Sequence, residues 1–188
     1  MSKFALIGAS GYIAPRHVEA IKHTNNELVA LLDPYDGIGY IDRHYPNASY
    51  FKESERFDRH LDRLRRNVIC EKPLVLIHEH LEALKTIEDE TNKKINTILQ
   101  LRHHPTIIAL KEKYTHTNQF STVDLNYITP RGLWYDYSWK GNIDKSGGIT
   151  SNIGVHFFDM LIWIFGDPIS LNIFEKKESK ISGKLELE

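Results

Sequence analysis

Apolar and polar residues follow one another along the first half of the chain in a pattern that predicts short strands separated by helices. The predicted strands are apolar runs bounded by turn residues: 3–7, 27–32, 50–51, 67–70 and 95–99. The predicted helices carry apolar residues on one face: one that ends near Lys22, one at 53–66 and one at 77–91. Strands that alternate with helices are typical of a parallel sheet covered by helices, which predicts an α/β fold.

The second half of the chain has longer apolar stretches and more aromatic residues. Its predicted elements, in chain order, are a helix at 104–116 with Pro105 in its first turn, a strand at 121–129, a loop at 130–146, an apolar helix at 148–165 and antiparallel strands at 169–174 and 184–187. We therefore predict a Rossmann-type parallel-sheet domain over 1–103, followed by an α+β domain over 104–188 with an open, mostly antiparallel sheet.

Composition and charge narrow the class of protein. The 188 residues are 41% hydrophobic and 26% charged, with a formal net charge of -1, as in an ordinary globular protein. This charge gives no reason to expect a nucleic acid or an anionic membrane as partner. The apolar stretch 155–165 is too short to span a bilayer. The single cysteine, Cys70, and an N-terminus that enters a strand without a signal peptide predict a cytoplasmic location.

A glycine-rich turn after the first strand predicts a dinucleotide site. The pattern is Gly8-x-x-Gly11-x-x-Ala14, and such glycines let the backbone approach a pyrophosphate at a helix N-terminus. The spacing alone also fits an ordinary strand-to-helix turn. Asp33 ends the second strand about twenty residues later, where a carboxylate accepts hydrogen bonds from the adenosine ribose. Because a carboxylate there would repel a 2'-phosphate, we predict NAD rather than NADP.

Two further segments carry candidate catalytic residues. The run 68–74 predicts a strand that brings Lys72 to the carboxyl end of a parallel sheet, where such folds bind ligands. On a helix, Asn152, His156 and Asp159 are spaced i, i+4 and i+7 and share one face. A lone lysine is also compatible with a solvated surface charge, and the helix with a buried core histidine.

Taken in order along the chain, these motifs resemble the Gfo/Idh/MocA oxidoreductases. The resemblance covers nearly the whole chain and is carried by Gly8 to Ala14 with His17 after them, Asp33, Glu71-Lys72-Pro73, Gln100-x-Arg102-x-x-Pro105 and Gly147-Gly148…Gly154-x-His156-x-x-Asp159. It implies hydride transfer from a sugar C–H to NAD. It also implies cofactor contacts from Gly8, Ser10, Gly11, Tyr12, Ile13, Asp33, Glu71 and Lys72.

The loop 131–141 is similar to that of a narrower branch of the family, which oxidises UDP-N-acetylglucosaminuronate at C3 in bacterial surface-polysaccharide (lipopolysaccharide O-antigen) synthesis. In this interpretation His156 is the general base, and Lys72 hydrogen-bonds the sugar hydroxyl and stabilises the developing alkoxide. Asn152, where the family often has Asp, positions the substrate instead of taking a proton. The substrate-binding set implied by the resemblance is Lys72, Arg102, Arg131, Tyr137, Trp139, Lys140, Asn152 and His156.

Within this set, Arg131 and Lys140 are candidates for the uronate or diphosphate charges, and Tyr137 and Trp139 for stacking on sugar or uracil. Exposed aromatic residues also mark subunit contacts, and we expect a homo-oligomer, either a dimer or a tetramer. Two alternative functions stay open: a non-catalytic NAD-binding or scaffold protein of the same fold, and a dehydrogenase of a different sugar. We expect no metal site, because pairs such as His78-Glu79-His80 lack metal-ligand spacing on a helix.

One departure from the family order affects the expected fold. The Glu-Lys-Pro motif begins one strand and one helix too early, and such a unit needs about 30 residues. We therefore expect a strand-helix segment to be missing at Arg66/Asn67. The family also continues well beyond the position of Glu188, so we expect the sheet of the second domain to be incomplete and the chain to be part of a longer polypeptide.

Overall fold

Three parallel strands near the N-terminus form the first sheet, in the order β1-β2-β3. They span Lys3–Ile7 (β1), Glu27–Leu32 (β2) and Ser49–Phe51 (β3). The computed structural model describes residues 1–61, 67–115 and 120–188, with every side chain there except that of Asp136. The chain divides into two compact units, Met1–Arg66 and Asn67–Glu188, and this sheet belongs to the first unit.

The core of the first unit lies between β2 and helix α1, which spans Ala14–His23. Val18 and Ile21 of α1 are buried with Leu28 and Leu31 of β2, and Ile41 closes the same cluster. Full burial of an aliphatic side chain of this size contributes about 1.5–3 kcal/mol. This cluster therefore fixes the turn between β1 and α1 against the end of β2.

Helix α2 spans Ser54–Leu61 and packs through Phe57, which is 1% exposed. The ring of Phe57 meets that of Phe51 edge-on, with 5.9 Å between the ring centroids. The helix predicted at 53–66 is thus confirmed as far as Leu61. Residues 62–66 lie outside the described part of the chain, so the segment expected to be missing at Arg66/Asn67 stays a prediction.

The second unit begins with two parallel strands, β4 (Val68–Cys70) and β5 (Ile95–Thr97). Helix α3, Glu79–Thr91, connects them and is followed by Asn92 in the left-handed conformation (φ 51°). A 3₁₀-helix at Gln100–His103 leads into α4, Pro105–Thr115. Pro105 is the first residue of α4, as predicted, since proline has no N–H to leave unpaired there.

The segment predicted as a loop at 130–146 contains two short helices, α5 (Trp134–Tyr137) and α6 (Ile143–Ser146). The helix predicted at 148–165 is confirmed in its extent. Its first part is a π-helix at Thr150–Gly154, and its second part is α7, Val155–Phe165. The π-helix was not predicted, because it adds only one residue to a helical turn and so hardly changes the spacing of the apolar residues.

Helix α7 packs on α4, where the rings of Tyr114 and Phe165 meet with 5.1 Å between their centroids. A hairpin of β6 (Pro168–Lys177) and β7 (Lys180–Leu187) follows, with Leu171 opposite Leu185. This confirms the predicted antiparallel pair. Together with the parallel strands β1 to β5, it confirms the predicted α/β class with an α+β part at its C-terminal end.

The strand predicted at 121–129 is wrong. These residues form no regular secondary structure, and most of their side chains are exposed. A strand needs a partner for its backbone N–H and C=O groups, and none is found for 121–129 within the described residues. The predicted domain boundary between 103 and 104 stays a prediction. The division into compact units falls elsewhere, between Arg66 and Asn67.

The helical run Ile143–Phe165 is longer than the apolar stretch that the sequence singled out. The run has 23 residues and contains an 18-residue window with a mean hydropathy of 1.3, so by length and composition alone it is able to cross a membrane. The run is interrupted at Gly147, which has a left-handed φ of 69°. It also carries Asn152 and Asp159, whose side chains bind charged partners. We interpret it as the helix of a polar site.

Candidate functional site

The glycine turn of the first unit has the backbone that a bound pyrophosphate requires. Gly8 has a left-handed φ of 79°, and its N–H donates to the carbonyl of Leu32 over 2.8 Å. A Cβ on Gly11 would lie 3.0 Å from the carbonyl oxygen of Gly8, so a side chain there would force the turn to shift by a few tenths of an ångström. Gly8, Gly11 and Tyr12 are exposed, and Ile13 stands at the N-cap position of α1 without a side-chain capping hydrogen bond. These residues fit a dinucleotide phosphate at a helix N-terminus.

Asp33 has a second function that the sequence did not predict. Its carboxylate is nearly buried and accepts hydrogen bonds from the Ser10 N–H (2.8 Å), the Ser10 hydroxyl (2.6 Å) and the Tyr35 N–H (2.8 Å). Burial raises the pKa of Asp33, but the hydrogen bonds from Ser10 and Tyr35 outweigh burial and hold the pKa below its ordinary value. Asp33 therefore joins the glycine turn to the end of β2.

The predicted contact between Asp33 and a ribose has to be compatible with these hydrogen bonds. A carboxylate has about four acceptor positions, and three are filled in Asp33. A ribose hydroxyl fits at the fourth position or in place of the Ser10 hydroxyl. The residues present thus fit the adenosine end of NAD. Ser10, predicted as a cofactor contact, is placed beside Asp33 at the same turn.

In the second unit, Lys72 and Asn152 form the centre of a polar cluster although 80 residues separate them. The Lys72 ammonium follows β4 and donates to both the backbone oxygen and the side-chain Oδ1 of Asn152, the latter over 3.2 Å. Burial lowers the pKa of Lys72, the charges of Lys140 and Arg131 lower it further, and Glu71 opposes them. The predicted loop cations and the predicted catalytic lysine thus influence one another.

His156 lies one helical turn after Asn152 and is half-buried. Its Nδ1 atom is buried and has no hydrogen-bond partner among the described residues, and the same holds for Nδ2 of Asn152. Burial lowers the pKa of His156 and the charge of Lys72 lowers it further, against opposing effects of Glu71 and Asp159. The result is a neutral imidazole beside an ammonium group, with two buried polar atoms left for a ligand or water.

Arg102, predicted to bind substrate, forms an ion pair with Asp159, and its substrate contact stays a prediction. Its Nε donates to Asp159 Oδ2 over 2.9 Å, and its Nη2 donates to Oδ1. The Asp159 side chain is 11% exposed and that of Arg102 is 40% exposed. The hydrogen bonds that Arg102 donates to Asp159 raise the pKa of Arg102. The pairing connects two family motifs that are far apart in the chain.

The aromatic loop holds its cations against aromatic rings. Arg131 lies over the ring of Tyr135, 4.7 Å from its centroid, and Lys140 lies 5.9 Å from the centroid of the Trp139 ring. Tyr137 is 90% exposed and Trp139 is 54% exposed, so both rings are open to a ligand. Substrate contacts from this loop stay predictions. In the described ranges 1–61, 67–115 and 120–188, no group of three or more His, Cys, Asp or Glu residues is placed to hold a metal ion.

Comparison with known proteins identifies the family. Residues 120–181 match the family described as "Oxidoreductase family, C-terminal alpha/beta domain". A WlbA (WbpB) dehydrogenase from Thermus thermophilus, solved with NAD and UDP-GlcNAcA, is 39% identical, with a TM-score of 0.92 over 100% of this chain and 70% of its own. The same dehydrogenase solved with NAD and alpha-ketoglutarate gives a TM-score of 0.90 at 39% identity and the same coverage.

An inositol 2-dehydrogenase from Rhizobium meliloti is 27% identical over 164 residues, which are 84% of this chain and 47% of that protein. This chain therefore spans about half the length of that curated relative. It spans 24% of a second one, the oxidoreductase YteT of Bacillus subtilis. The chain belongs to the Gfo/Idh/MocA oxidoreductases, as the motifs predicted.

Proposed function

We propose that this protein is an NAD-dependent dehydrogenase that oxidises the C3 hydroxyl of a nucleotide sugar, UDP-N-acetylglucosaminuronate. The observation that carries the proposal is the cluster of Lys72, Asn152 and His156, in which the Lys72 ammonium donates to Asn152 and its charge acts on the neutral imidazole of His156. The Thermus thermophilus relative, solved with NAD and UDP-GlcNAcA, supports the choice of cofactor and substrate.

When bound, NAD supplies the acceptor for the hydride, and the protein supplies position and proton transfer. Gly8, Gly11 and the start of α1 fit the pyrophosphate, and Asp33 fits the adenosine ribose. The choice of NAD over NADP follows from the buried, ionised carboxylate of Asp33, because a 2'-phosphate beside it would be repelled. Glu71 and Lys72 are proposed as further cofactor contacts.

Lys72 is the proposed donor to the reacting hydroxyl. An ammonium group has three N–H donors, and two of those of Lys72 go to the two oxygens of Asn152. The third is then oriented by the first two and stabilises negative charge on the substrate oxygen as the C–H bond breaks. Asn152 is neutral, so it holds the ammonium without cancelling its charge.

His156 is the proposed general base. Its lowered pKa keeps the imidazole neutral near pH 7, which is the form that accepts a proton from the sugar hydroxyl. The Nδ2 of Asn152 has no hydrogen-bond partner among the described residues, and this donor suits a second oxygen of the sugar. His156 therefore takes the proton, while Lys72 and Asn152 orient the oxygen that loses it.

The charge around Lys72 favours an anionic substrate. The groups that act on its pKa are two cations, Lys140 and Arg131, and one carboxylate, Glu71. A uronate carboxylate or a diphosphate would compensate this excess of positive charge. Tyr137 and Trp139 are open to stack on the sugar or the uracil. A neutral sugar would leave the excess uncompensated, so we prefer the nucleotide sugar acid to an inositol.

The wider role follows from the substrate. We propose that the reaction takes place in the cytoplasm, in the synthesis of a bacterial surface polysaccharide, and that the protein acts as a homo-oligomer. Alpha-ketoglutarate, present in the second Thermus thermophilus structure, has a carbonyl carbon able to accept a hydride. It is therefore a suitable acceptor with which to test whether bound NADH is reoxidised at the same site.

Single substitutions test the assignment. We expect Lys72→Ala and His156→Asn each to abolish NADH formation. The Kd for NAD, measured by calorimetry, should change little in His156→Asn and rise only modestly in Lys72→Ala, which removes one proposed cofactor contact among several. Lys85→Ala and His80→Asn are matched controls on the exposed surface of α3 and should leave turnover unchanged. Near-normal turnover in either site variant would sink the assignment. NAD binding without NADH formation on any sugar would favour a non-catalytic NAD-binding protein.

A further inference from the structure

The ion pair between Arg102 and Asp159 has no role in the proposed reaction so far. Arg102 lies in the 3₁₀-helix Gln100–His103, and its guanidinium forks onto both oxygens of Asp159 on α7. Two parallel N–H···O bonds fix the carboxylate in one plane more firmly than a single ammonium contact does. Because Asp159 is 11% exposed, little water competes for its oxygens.

Helix α7 has further contacts one turn after Asp159, at Trp163. The Arg102 guanidinium carbon lies 6.0 Å from the centroid of the Trp163 ring. Lys111 of α4 lies 4.9 Å from that centroid, and its ammonium donates to the backbone oxygen of Trp163. Residues of the 3₁₀-helix and of α4 thus both contact the face of α7 that carries Asp159 and Trp163.

His156 lies three residues before Asp159 on α7, so whatever orients Asp159 also orients the helix turn that carries His156. We propose that Arg102 is a positioning residue, which holds the Asp159 carboxylate away from the reacting groups and fixes the turn of α7 that presents His156. This inference rests on the proposed function, in which His156 is the general base. The direct substrate contact predicted for Arg102 stays a separate prediction.

The charges around His156 give the proposal a measurable consequence. Besides burial, Lys72 lowers the pKa of His156, while Glu71 and Asp159 raise it. Removal of Arg102 would leave the Asp159 carboxylate uncompensated one turn from the imidazole. The pKa of His156 would then rise, and less neutral imidazole would be present at a given pH. Removal of Asp159 would leave the Arg102 cation uncompensated and would act in the opposite direction.

The test uses Arg102→Gln, Asp159→Asn and the double variant, with two readouts on the full chain. The first readout is the titration of His156 by NMR, which needs no substrate and is assigned by the signal missing in His156→Asn. The second is the acidic limb of kcat/KM against pH. We expect both to move to higher pH in Arg102→Gln, by about half a unit, or about threefold in the ratio of protonated to neutral imidazole.

The other variants distinguish a positioning role of Arg102 from a substrate contact or a purely structural contact. We expect Asp159→Asn to move the His156 titration to lower pH, and the double variant to titrate near the wild-type pH. Arg102→Lys keeps the positive charge but loses the two parallel hydrogen bonds to Asp159. The pKa of His156 should therefore stay near that of the wild type, while kcat falls. If Arg102→Gln does not fold, Asp159→Asn and Arg102→Lys still decide the question.

Several outcomes would overturn the inference. A raised KM with unchanged kcat and an unchanged titration in Arg102→Gln would make Arg102 a substrate ligand. A loss of activity in all variants without any shift of the His156 titration would reduce the pair to a structural contact. If no sugar is oxidised but the titrations move as expected, the ion pair acts as described and the proposed function is what fails.

Discussion

The hydrogen bonds of Asp33 lead to a quantitative prediction for Asp33→Asn. The carboxylate accepts from three donors, the N–H and hydroxyl of Ser10 and the N–H of Tyr35. An asparagine side chain has only one acceptor oxygen. If that oxygen keeps the two bonds from Ser10, the asparagine NH2 group faces the Tyr35 N–H, and two donors then oppose each other. A buried donor without a partner costs about 1–3 kcal/mol, and the two bonds to Ser10 lose their charge assistance. We expect the first unit to lose about 2–4 kcal/mol of stability at pH 7.

The dependence of this loss on pH has a definite sign. The pKa of Asp33 is lowered in the folded state, so its contribution is complete above its ordinary pKa of 3.8 and is lost as the pH falls through the lowered value. The difference between wild type and Asp33→Asn should therefore be largest at neutral pH and should shrink in acid.

The assay has to report on the first unit. All three tryptophans, Trp134, Trp139 and Trp163, lie in the second unit, so tryptophan fluorescence would miss the effect. Hydrogen–deuterium exchange of the amides in β1 and β2 measures the opening free energy where Asp33 acts. Asp36→Asn is the matched control, because Asp36 is 77% exposed and its loss should change exchange very little. Equal exchange in wild type and Asp33→Asn at pH 7, or a difference that grows in acid, would refute the reasoning.

Two further predictions concern the proposed reaction and its cofactor. We expect kcat/KM to be bell-shaped against pH, with an acidic limb below 6.5 because His156 must be neutral, and an alkaline limb below 10.5 because Lys72 must be protonated. An acidic limb above 6.5 would contradict the assigned environment of His156. Gly11→Ala should weaken NAD binding measured by calorimetry, because its Cβ would lie 3.0 Å from the Gly8 oxygen. Gly39→Ala, with nothing within 4 Å of its added Cβ, is the control, and equal weakening in both would argue against the glycine turn as the site.

Local chemistry made much of the fold predictable. Short apolar runs and turn residues located β1, β2 and the β6-β7 hairpin, since the features that define them lie within a few residues of one another. The strand at 121–129 was predicted by its alternation, which is a local property. A strand also depends on a neighbouring strand to pair with, and alternation contains no information about that neighbour.

The residues of the candidate site were predictable as types and motifs but not as pairs. The sequence singled out Lys72, Asn152 and Arg102, but nothing local shows that Lys72 binds the oxygens of Asn152 or that Arg102 binds Asp159. These partners are 80 and 57 residues apart, and the packing of the second unit, in which the π-helix carries Asn152 and α7 carries Asp159, brings them together. The hydrogen bonds from Ser10 to Asp33 were missed for the same reason, although a serine beside the glycine turn was the available signal.

The central claim is hydride transfer from C3 of a nucleotide sugar to NAD, and isotope transfer tests it most directly. The purified protein would be incubated with NAD and UDP-N-acetylglucosaminuronate carrying deuterium at C3, and the reduced cofactor would be examined by mass spectrometry. We predict that the NADH formed contains the deuterium and that His156→Asn forms no NADH. Alpha-ketoglutarate would be tested in parallel as an acceptor. Unlabelled NADH would place the oxidation at another carbon, and no NADH with this substrate would contradict the proposed reaction.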